Sequence, residues 1–508
     1  MNENENSSCA LAHQFDNWNL IAWRKVIQRV NRLQRRIAKA VKEKRWGKAK
    51  ALMFLLTKSF FAKLLAVFRV SNNKGGKTPG VDNKIWINGY DKLIAAENLK
   101  NRGYTPKPLR RIYIPKKNGK KRPLSIPCMD DRAMQALHMM AVVPLAESSA
   151  DPNSYGFREI RSCADAIAQC FLILCRKNCA QWVFEADIEA CFDEIDHHWM
   201  LNHIPVNKTI LKKWLKAGYI DKGRAFPTLK GTPQGGIISP IIMNMVLDGL
   251  ETTLNKQFPR WKNQKVNFVR YADDFIITAK DKKTIVNQII PIVKDFLNER
   301  GLRLSGEKSR ITNIDQGFDF LSQHIRKYKG KLLIKPSRKS VQAFKDKVKL
   351  IVRESHGLPA HALIRKLNPV IRGWSNYHKG ICSKKTFNNL EAFIFNQLWK
   401  WATRQHGGKG HRWVFKRYFL GNHFSDKRVS SKGVYSYRLY KIGRVPIRYH
   451  VKVSQKANPY LPEFDSYFEK RKFFRKRLAV ECKQYTTFVC KVNSNSRVPR
   501  NKVGLKSA

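Results

Sequence analysis

Apolar positions recur at helical spacing through the first seventy residues of the chain. Residues 18–70 therefore predict helices. The apolar stripe of the first of them consists of Trp23, Val26, Ile27, Val30, Leu33 and Ile37. Basic side chains such as Arg24 and Arg29 occupy the other faces. Those faces are either solvated or form a basic arm on nucleic acid, and the pattern alone leaves both interpretations open.

The most apolar early segment is ALMFLLTKSFFAKLLAVF, residues 51–68. Lys58 and Lys63 interrupt it and apolar pairs recur at helical spacing, so it predicts a core-facing helix rather than a membrane span. The opening MNENENSS is polar and lacks the basic-then-apolar order of a secretory signal. We therefore expect a protein that is not secreted and has no membrane partner.

The middle of the chain carries strand patterns. RRIYIPKKNGKKRPLSIP (110–127) predicts a hairpin around Asn118-Gly119, and residues 130–180 predict helices. Further strands are predicted at WVFEADI, KVNFVRYADDFIITA, GLRLS and FDFLSQHI. Strands and helices thus mix without a regular alternation of strand and crossover helix, so we predict an α+β fold rather than a doubly wound sheet. Residues 338–405 predict helices again, and the polar tail after residue 493 is expected to be mobile.

The charge balance narrows the class of partner. Lys and Arg number 98 against 38 Asp and Glu, which leaves a formal charge of +60 over 508 residues. Such a surface repels itself unless a polyanion neutralises it, and nucleic acid is the commoner polyanion for a large basic protein. A hydrophobic fraction of 43% excludes disorder from end to end. The 10 cysteines show no paired framework, which indicates a reducing compartment.

Three aspartates in apolar surroundings are the candidates for chemistry. Asp273 and Asp274 interrupt an apolar run, and Asp187 ends another. Adjacent side chains in one strand point to opposite faces, so both members of the pair can converge only if the chain turns there, at a hairpin tip. Carboxylate oxygens at strand ends suit Mg²⁺, and a pair of such ions supports in-line phosphoryl transfer. The alternative for the pair alone is a simple Asx turn.

The order of the motifs gives the chain a wider resemblance. It resembles the reverse transcriptases encoded by group II introns, also called intron maturases, from about residue 18 to about residue 470. The motifs that carry the resemblance are GKTPGVD, IPKKNGKKRPLSIP, DPNSYGFR, FEADIEACFDEIDH, GTPQGGIISP, YADDFII, GLRLSGEKSRI and FDFL. The resemblance implies a right-hand polymerase with fingers and palm, preceded by a helical extension and followed by a helical thumb.

The resemblance also assigns roles to residues. Asp187, Asp273 and Asp274 match the three polymerase carboxylates that hold two Mg²⁺ ions. Phe192 matches the aromatic steric gate that lies under the sugar and rejects a 2′ hydroxyl. From sequence pattern alone, Phe192 would be read as an ordinary core residue. Asp193 and Asp196 are expected to cap a helix or to face solvent.

Further matched positions surround the incoming nucleotide. Lys116 and Arg122, on the two arms of the predicted hairpin, match finger residues that grip the triphosphate; the alternative is a pair of solvated charges. Gln234 matches the glutamine beside the nucleotide, and Gly235, next in the chain, permits close backbone approach. Lys308 matches a further family lysine near this site.

The helical region beyond residue 335 resembles the thumb and maturase domain of the same family. The match rests on residues 367–380, 383–406 and 411–419, where basic and aromatic residues interleave. In the family this domain binds the intron RNA and promotes its splicing, and the composition suits phosphate neutralisation and base stacking. The candidate RNA-binding residues are Arg24, Arg29, Arg372, Trp374, Tyr377, Lys379 and Arg412. The alternative for any single aromatic residue is packing into the domain's own core.

The C-terminal part departs from many family members. Residues 444–471 resemble the family's DNA-binding segment, but only Cys482 and Cys490 follow, so the zinc-held His-Asn-His endonuclease is expected to be absent. Priming would then come from another 3′ end, such as a nascent strand. A smaller departure is Ser322, where the family usually has glycine.

These observations combine into one predicted function. We predict an RNA-directed DNA polymerase encoded by a group II intron, using two Mg²⁺ ions, dNTPs and an RNA template with a DNA primer. It would bind the intron RNA as a ribonucleoprotein, promote splicing and act on target DNA in a bacterial cytoplasm or in an organelle that encodes it. The alternatives are a splicing maturase without polymerase activity and a free-standing reverse transcriptase of a retron, defence or diversity-generating element. The predicted domains are 1–70 (helical extension), 71–335 (fingers and palm), 336–419 (thumb and maturase) and 420–508 (basic DNA-binding segment).

Overall fold

A computed structural model of the chain gives the fold. It describes residues 17–115, 119, 121–419, 423–430, 433–473 and 491–492. Lys116, Asn118, Cys482, Cys490 and the polar tail lie outside the described residues. The chain divides into two compact units, of which the first comprises Met1–Gln316 and Val451–Glu469 and the second Gly317–His450 and Lys470–Ala508. The four predicted domains divide the chain at other positions, and they stay a prediction.

The first unit mixes helices with two sheets. Its helices are α1 Trp23–Lys42, α2 Trp46–Lys58, α3 Phe60–Ser71, α4 Gly89–Glu97, α5 Met129–Ser149, α6 Cys163–Leu174, α7 Cys191–Glu194, α8 His197–His203, α9 Lys208–Leu215, α10 Ser239–Leu247, α11 Leu250–Gln257, α12 Lys282–Thr284 and, after a π turn, α13 Ile290–Asn298. Its strands are β1 Leu109–Pro115, β2 Lys121–Ile126, β3 Trp182–Ala186, β4 Tyr219–Asp221, β5 Arg224–Phe226, β6 Asn267–Tyr271, β7 Asp274–Ala279 and β8 Arg310–Asn313. This mixture agrees with the predicted α+β class.

The central sheet of this unit has the strand order β6-β7-β3-β8, with every neighbouring pair antiparallel. Every residue of β7 from Phe275 to Ala279 is buried, so this strand is covered on both faces. The second sheet has the order β2-β1-β4-β5 and contains the predicted hairpin, whose strands pair from Arg110–Ile126 to Pro115–Lys121. The stretch GLRLS is not a strand, because only Leu304 forms an isolated bridge, to Ile188.

The N-terminal segment is helical as predicted, and its helices α1, α2 and α3 pack on α5, with two differences from the prediction. The apolar segment 51–68 is not one helix: Ser59 has extended backbone, and α2 and α3 meet there at a bend of 67°. Ile27 is off the buried stripe and 37% exposed, whereas Val26, Val30 and Ile37 are fully buried. No single helix of the described residues is long and apolar enough to cross a membrane. The bent pair of α2 and α3 would be long and apolar enough together, by length and composition alone.

A late segment of the chain, Val451–Glu469, packs on the first unit. Gln455 Nε2 donates to Asn153 Oδ1 over 2.6 Å, and the Val453 amide donates to Asp165 Oδ1 over 2.7 Å. Arg35 forms a two-pronged ion pair with Asp465, at 3.0 and 2.7 Å. Part of the predicted DNA-binding segment is therefore occupied by contacts within the chain.

The second unit is a helical core with two small sheets. Its helices are α14 Arg338–Arg353, α15 Ala360–His378, α16 Lys384–Gln405 and α17 His411–Tyr418. Its strands are β9 Phe318–Phe320, β10 Gln323–Tyr328, β11 Lys331–Pro336, β12 Ser425–Ser430, β13 Gly433–Arg438 and β14 Lys491–Val492. The sheet β11-β10-β9 belongs with these helices because the Cys382 amide donates to Ile334 O over 2.9 Å.

A tight turn splits the predicted strand FDFLSQHI into β9 and β10. Phe320 pairs with Gln323, and the two connecting residues, Leu321 and Ser322, have φ of +48° and +61°. Two consecutive left-handed residues make the type I′ hairpin turn, in which the second position favours glycine. The next hairpin of this sheet follows that preference with Gly330. Ser322 is thus a strained position in this turn.

Replacing Ser322 by glycine should raise the free energy of unfolding of the second unit. We expect a gain of about 0.5–1 kcal/mol, because the left-handed conformation of a residue with a Cβ costs about 1–2 kcal/mol and the entropy of glycine offsets part of the relief. Urea unfolding of Ser322→Gly measures it, and Gly330→Ser should shift the midpoint in the opposite direction. A lower midpoint for Ser322→Gly would contradict this account of the turn.

Candidate active site

The hairpin of β6 and β7 presents the aspartate pair at its tip, as predicted. Tyr271 pairs with Asp274, so Ala272 and Asp273 form a two-residue turn. Ala272 has a φ of +60°, and this reversal allows adjacent carboxylates to converge although they would point apart in one strand.

Asp187 emerges beside this turn. Ala186 at the end of β3 pairs with Phe275 of β7, so the residue after Ala186 and the residue before Phe275 leave neighbouring strands at the same edge. Those residues are Asp187 and Asp274. The Ser305 amide donates to Asp187 O over 2.8 Å, which fixes the backbone where β3 ends.

Burial and neighbouring negative charge disfavour the charged forms of Asp273 and Asp274. The pKa of Asp274 is raised to about 6, first by burial and then by the charges of Asp273 and Asp187. The pKa of Asp273 is also raised, chiefly by burial, while the charges of Arg122 and Lys308 oppose the shift. The three carboxylates therefore form one electrostatic cluster in which positive charge is needed.

Lys308 supplies part of that positive charge. Its Nζ lies 2.8 Å from Asp187 Oδ2, and this hydrogen bond raises the pKa of the ammonium group. The sequence matched Lys308 to a nucleotide-site lysine, and the structure places it at the cluster itself. It lies within reach of the carboxylates without being buried, since its side chain is 63% exposed.

The carboxylate oxygens of the three aspartates are chemically suited to bind a divalent metal ion. Within the described residues, no three His, Cys, Asp or Glu side chains stand together closely enough to hold an ion as they are. The three aspartates nevertheless offer the hard oxygen ligands that Mg²⁺ prefers, at strand ends, and their mutual repulsion is what a bound cation would relieve.

The loop around Gln234 connects the gate candidate to strand β2. The Thr232 amide donates to Phe192 O over 2.7 Å, and Gln234 Nε2 donates to Asp193 Oδ2 over 2.9 Å. The Ser125 amide of β2 donates to Gln234 O over 2.6 Å. The structure thus brings together Phe192 and Gln234, which the sequence predicted separately, although the contact between Gln234 and Asp193 was not foreseen.

Glycine is required where this loop meets β2. Gly235 has a φ of +119°, and a Cβ there would lie 2.5 Å from Ser125 O. Phe192 is half-buried against the core of the unit rather than enclosed in it. Asp196 caps α8 by accepting from the Trp199 amide over 2.6 Å, as expected.

The two predicted triphosphate residues differ in what the structure describes. Arg122 is an exposed residue of β2 that pairs with Ile114, and its charge lowers the pKa of Asp273 against the effect of burial. Lys116 lies outside the described residues.

The candidate RNA-binding residues fall into two groups. Arg24, Arg29 and Arg412 are exposed, and Tyr377 is 40% exposed with its hydroxyl donating to Leu321 O over 2.8 Å. Trp374 instead packs against Phe344, with ring centroids 4.9 Å apart. The Trp374 ring thus packs into the core of its own domain, as in the alternative given above, and little of its surface is free to stack on a base.

The remaining two candidates of that set lie on or just after α15. Arg372 lies over the Tyr440 ring at 5.3 Å, and Lys379 Nζ donates to Asn376 Oδ1 over 3.0 Å. Both keep partial exposure. Their contact with RNA stays a prediction.

Three family descriptions match consecutive parts of the chain. They are the N-terminal domain of reverse transcriptase over residues 18–99, reverse transcriptase (RNA-dependent DNA polymerase) over residues 114–325, and the group II intron maturase-specific domain over residues 341–419. The matches follow the order that the motifs predicted.

Curated relatives agree with these matches. The chain is 33% identical to Protein YkfC of Escherichia coli (strain K12) over 50% of this chain and 77% of that protein. It is 29% identical to the group II intron-encoded protein LtrA of Lactococcus lactis subsp. cremoris, over 64% of this chain and 69% of that protein. A telomerase structure from Candida albicans shows a distant likeness, with a TM-score of 0.35 and 13% identity over 62% of this chain and 64% of that one. The chain belongs to the family of group II intron-encoded reverse transcriptases and maturases.

Proposed function

We propose that the chain is an RNA-directed DNA polymerase that adds deoxynucleotides to a primer on an RNA template. The observation that carries this proposal is the emergence of Asp187 and Asp274 from neighbouring strands beside the Asp273 turn. These three residues would hold two Mg²⁺ ions. Bound there, such ions supply activation of the primer 3′ hydroxyl and charge stabilisation for the leaving pyrophosphate.

The chain's own residues would orient the nucleotide. Arg122 offers a guanidinium fork to the triphosphate and Lys308 a point charge, while Lys116 would join them from the other arm of the hairpin. Phe192 would lie under the sugar and exclude a 2′ hydroxyl. Gln234 would line the same site, because its backbone and side chain are already fixed by β2 and Asp193.

The family's right-hand organisation supports an assignment of parts. We assign the fingers and palm to the sheets β2-β1-β4-β5 and β6-β7-β3-β8, and the thumb and maturase region to the helices from α14 to α17. The exposed basic residues of α1 and α15–α17 would contact intron RNA, since phosphate neutralisation needs accessible Lys and Arg. Target DNA would be the further partner of the ribonucleoprotein, in a bacterial cytoplasm or an organelle that encodes the intron.

The maturase-domain match supports a splicing role and disfavours the alternative of a free-standing reverse transcriptase. LtrA is named as a group II intron-encoded protein, and the match over residues 341–419 favours the same setting here over a free-standing reverse transcriptase. Copurification of a structured intron RNA, followed by a splicing assay, tests this part. A chain that extends primers but binds no intron RNA would instead fit a free-standing enzyme.

Metal removal tests the polymerase part. A purified chain with an RNA template, a DNA primer and dNTPs should extend the primer in Mg²⁺, stop on addition of EDTA, and resume when Mg²⁺ is restored. Extension that continues in excess EDTA would contradict the assignment of the carboxylates to metal.

Replacing Lys308 by methionine should raise the KM for dNTP about 10-fold, which corresponds to about 1.4 kcal/mol for one lost charge-assisted contact. Steady-state primer extension measures it. Lys280→Met is the matched control, because Lys280 is exposed and follows the opposite end of β7. An unchanged KM in Lys308→Met would remove Lys308 from the nucleotide site.

A further inference from the structure

The motif DPNSYGFR (151–158) has no part in the chemistry described above, yet it packs on the hairpin that carries the aspartate pair. The Arg270 amide donates to Asn153 O over 3.0 Å, and the Tyr155 amide donates to Arg270 O over 2.9 Å. Ser154 forms a parallel bridge with Arg270. The loop thus pairs alongside β6 at Arg270, just before the turn.

The same loop touches the turn itself. A Cβ at Gly156 would lie 2.3 Å from Ala272 N and 3.0 Å from Ala272 Cα, so only glycine allows this approach. Asn244 Nδ2 donates to Gly156 O over 2.7 Å and holds the glycine in place from α10.

Arg270 joins these elements through its side chain. It is 1% exposed, forms an ion pair with Asp248, and donates to Asn244 Oδ1 over 3.2 Å. The same guanidinium donates to Ala272 O over 3.4 Å, which places a fixed donor on the carbonyl that precedes Asp273. One buried side chain therefore contacts α10, the residue after α10 and the turn.

The turn needs such support because its own residues do not favour its shape. A two-residue hairpin turn with φ above zero at its first position favours glycine there, and this chain has Ala272 at +60°. A residue with a Cβ in that conformation persists only when its surroundings hold it. The buried contacts of Arg270 and Gly156 are such surroundings.

We propose that Arg270 is a positioning residue that fixes the Ala272–Asp273 turn through Asn244, Asp248 and Gly156. This rests on the proposed polymerase function, for which Asp273 must be held to within a fraction of an ångström. Arg270 contacts no substrate in this proposal; it acts on the direction of the Asp273 carboxylate.

The first test is Arg270→Lys, which keeps the charge but loses the planar fork that donates to acceptors on three residues at once. We expect kcat for primer extension to fall about 100-fold, as for a displacement of about 1 Å at a reacting group, while the KM for dNTP changes less than about 3-fold. Arg300→Lys is the matched control. Arg300 is also a buried arginine that donates to backbone carbonyls, but those belong to Val246 and Phe296, away from the turn. The Arg300→Lys variant should have a lower free energy of unfolding and an unchanged kcat.

A second variant reaches the turn without touching the ion pair. Gly156→Ala should displace Ala272 and lower kcat, whereas Gly47→Ala, where a Cβ meets nothing within 4 Å, should leave kcat unchanged. This variant tests the proposal if Arg270→Lys fails to fold.

Hydrogen exchange supplies a readout that does not require activity. Amide exchange across residues 271–274 should accelerate at least 10-fold in Arg270→Lys and not in Arg300→Lys. Wild-type exchange and wild-type kcat in Arg270→Lys would overturn the positioning role while leaving the polymerase proposal intact. Absence of extension by the wild type would instead count against the polymerase proposal, and the exchange comparison would still decide the role of Arg270.

Discussion

Asp273→Asn is expected to lower kcat for RNA-templated primer extension by at least about 10³-fold, equivalent to about 4 kcal/mol of transition-state stabilisation. Asparagine keeps the size and the turn-forming side chain but removes the negative charge. Burial raises the pKa of Asp273 and of Asp274, and the charge of Asp187 adds to both shifts, so a bound cation at this cluster would relieve an unfavourable concentration of negative charge. A neutral side chain at Asp273 would therefore remove a proposed metal ligand and part of the negative charge that would attract the ions.

The measurement is single-turnover extension at several Mg²⁺ concentrations. Asp295→Asn is the matched control, since Asp295 is an exposed residue of α13 in the same unit. It should extend primers at the wild-type rate. Asp273→Asn at the wild-type rate would show that the turn does not carry the chemistry, and that the aspartate pair is only a hairpin turn.

Phe192→Ala should admit ribonucleotides, with a fall in discrimination between dNTP and rNTP of up to about 100-fold. An extra hydroxyl forced against a packed ring costs about 1–3 kcal/mol, and removal of the ring removes that cost. The half-buried position of Phe192, with its carbonyl fixed by the Thr232 amide, leaves part of the ring surface free to meet a substrate.

The ratio of kcat/KM for dCTP and CTP on the same template measures this effect. Phe171→Ala is a matched control, because Phe171 is 45% exposed on α6 and lies outside the proposed site. It should keep the wild-type ratio. If Phe192→Ala extends with dCTP and still rejects CTP as the wild type does, the gate role is wrong and Phe192 is a packing residue.

Local patterns predicted the features that depend on neighbouring residues. The hairpin tip at Asp273 follows from the opposite directions of adjacent side chains in a strand, and the β1–β2 hairpin follows from the Asn118-Gly119 turn signal between two short strand patterns. Local patterns could not predict the bend at Ser59, where α2 and α3, which both pack on α5, change direction. They also treated FDFLSQHI as one stretch, because the left-handed conformation of Ser322 is unusual for that residue type.

Local sequence patterns could not predict contacts between residues that are far apart in the chain. The bond from Lys308 to Asp187 joins residues 121 positions apart, and the bond from Gln455 to Asn153 joins residues 302 positions apart. Family resemblance placed Lys308 near the nucleotide but not on Asp187. The sequence around Arg270 does not predict that its side chain is buried, since arginine in a strand is usually exposed.

The separation of two activities in one chain tests the account most directly. Wild type and Asp273→Asn, each purified with its intron RNA, are compared for primer extension on an RNA template and for splicing in the same preparation. We predict that the wild type performs both reactions and that the variant splices at the wild-type rate without extending the primer. A wild-type preparation that splices but adds no deoxynucleotide would contradict the account and identify a maturase whose carboxylate cluster does no polymerase chemistry.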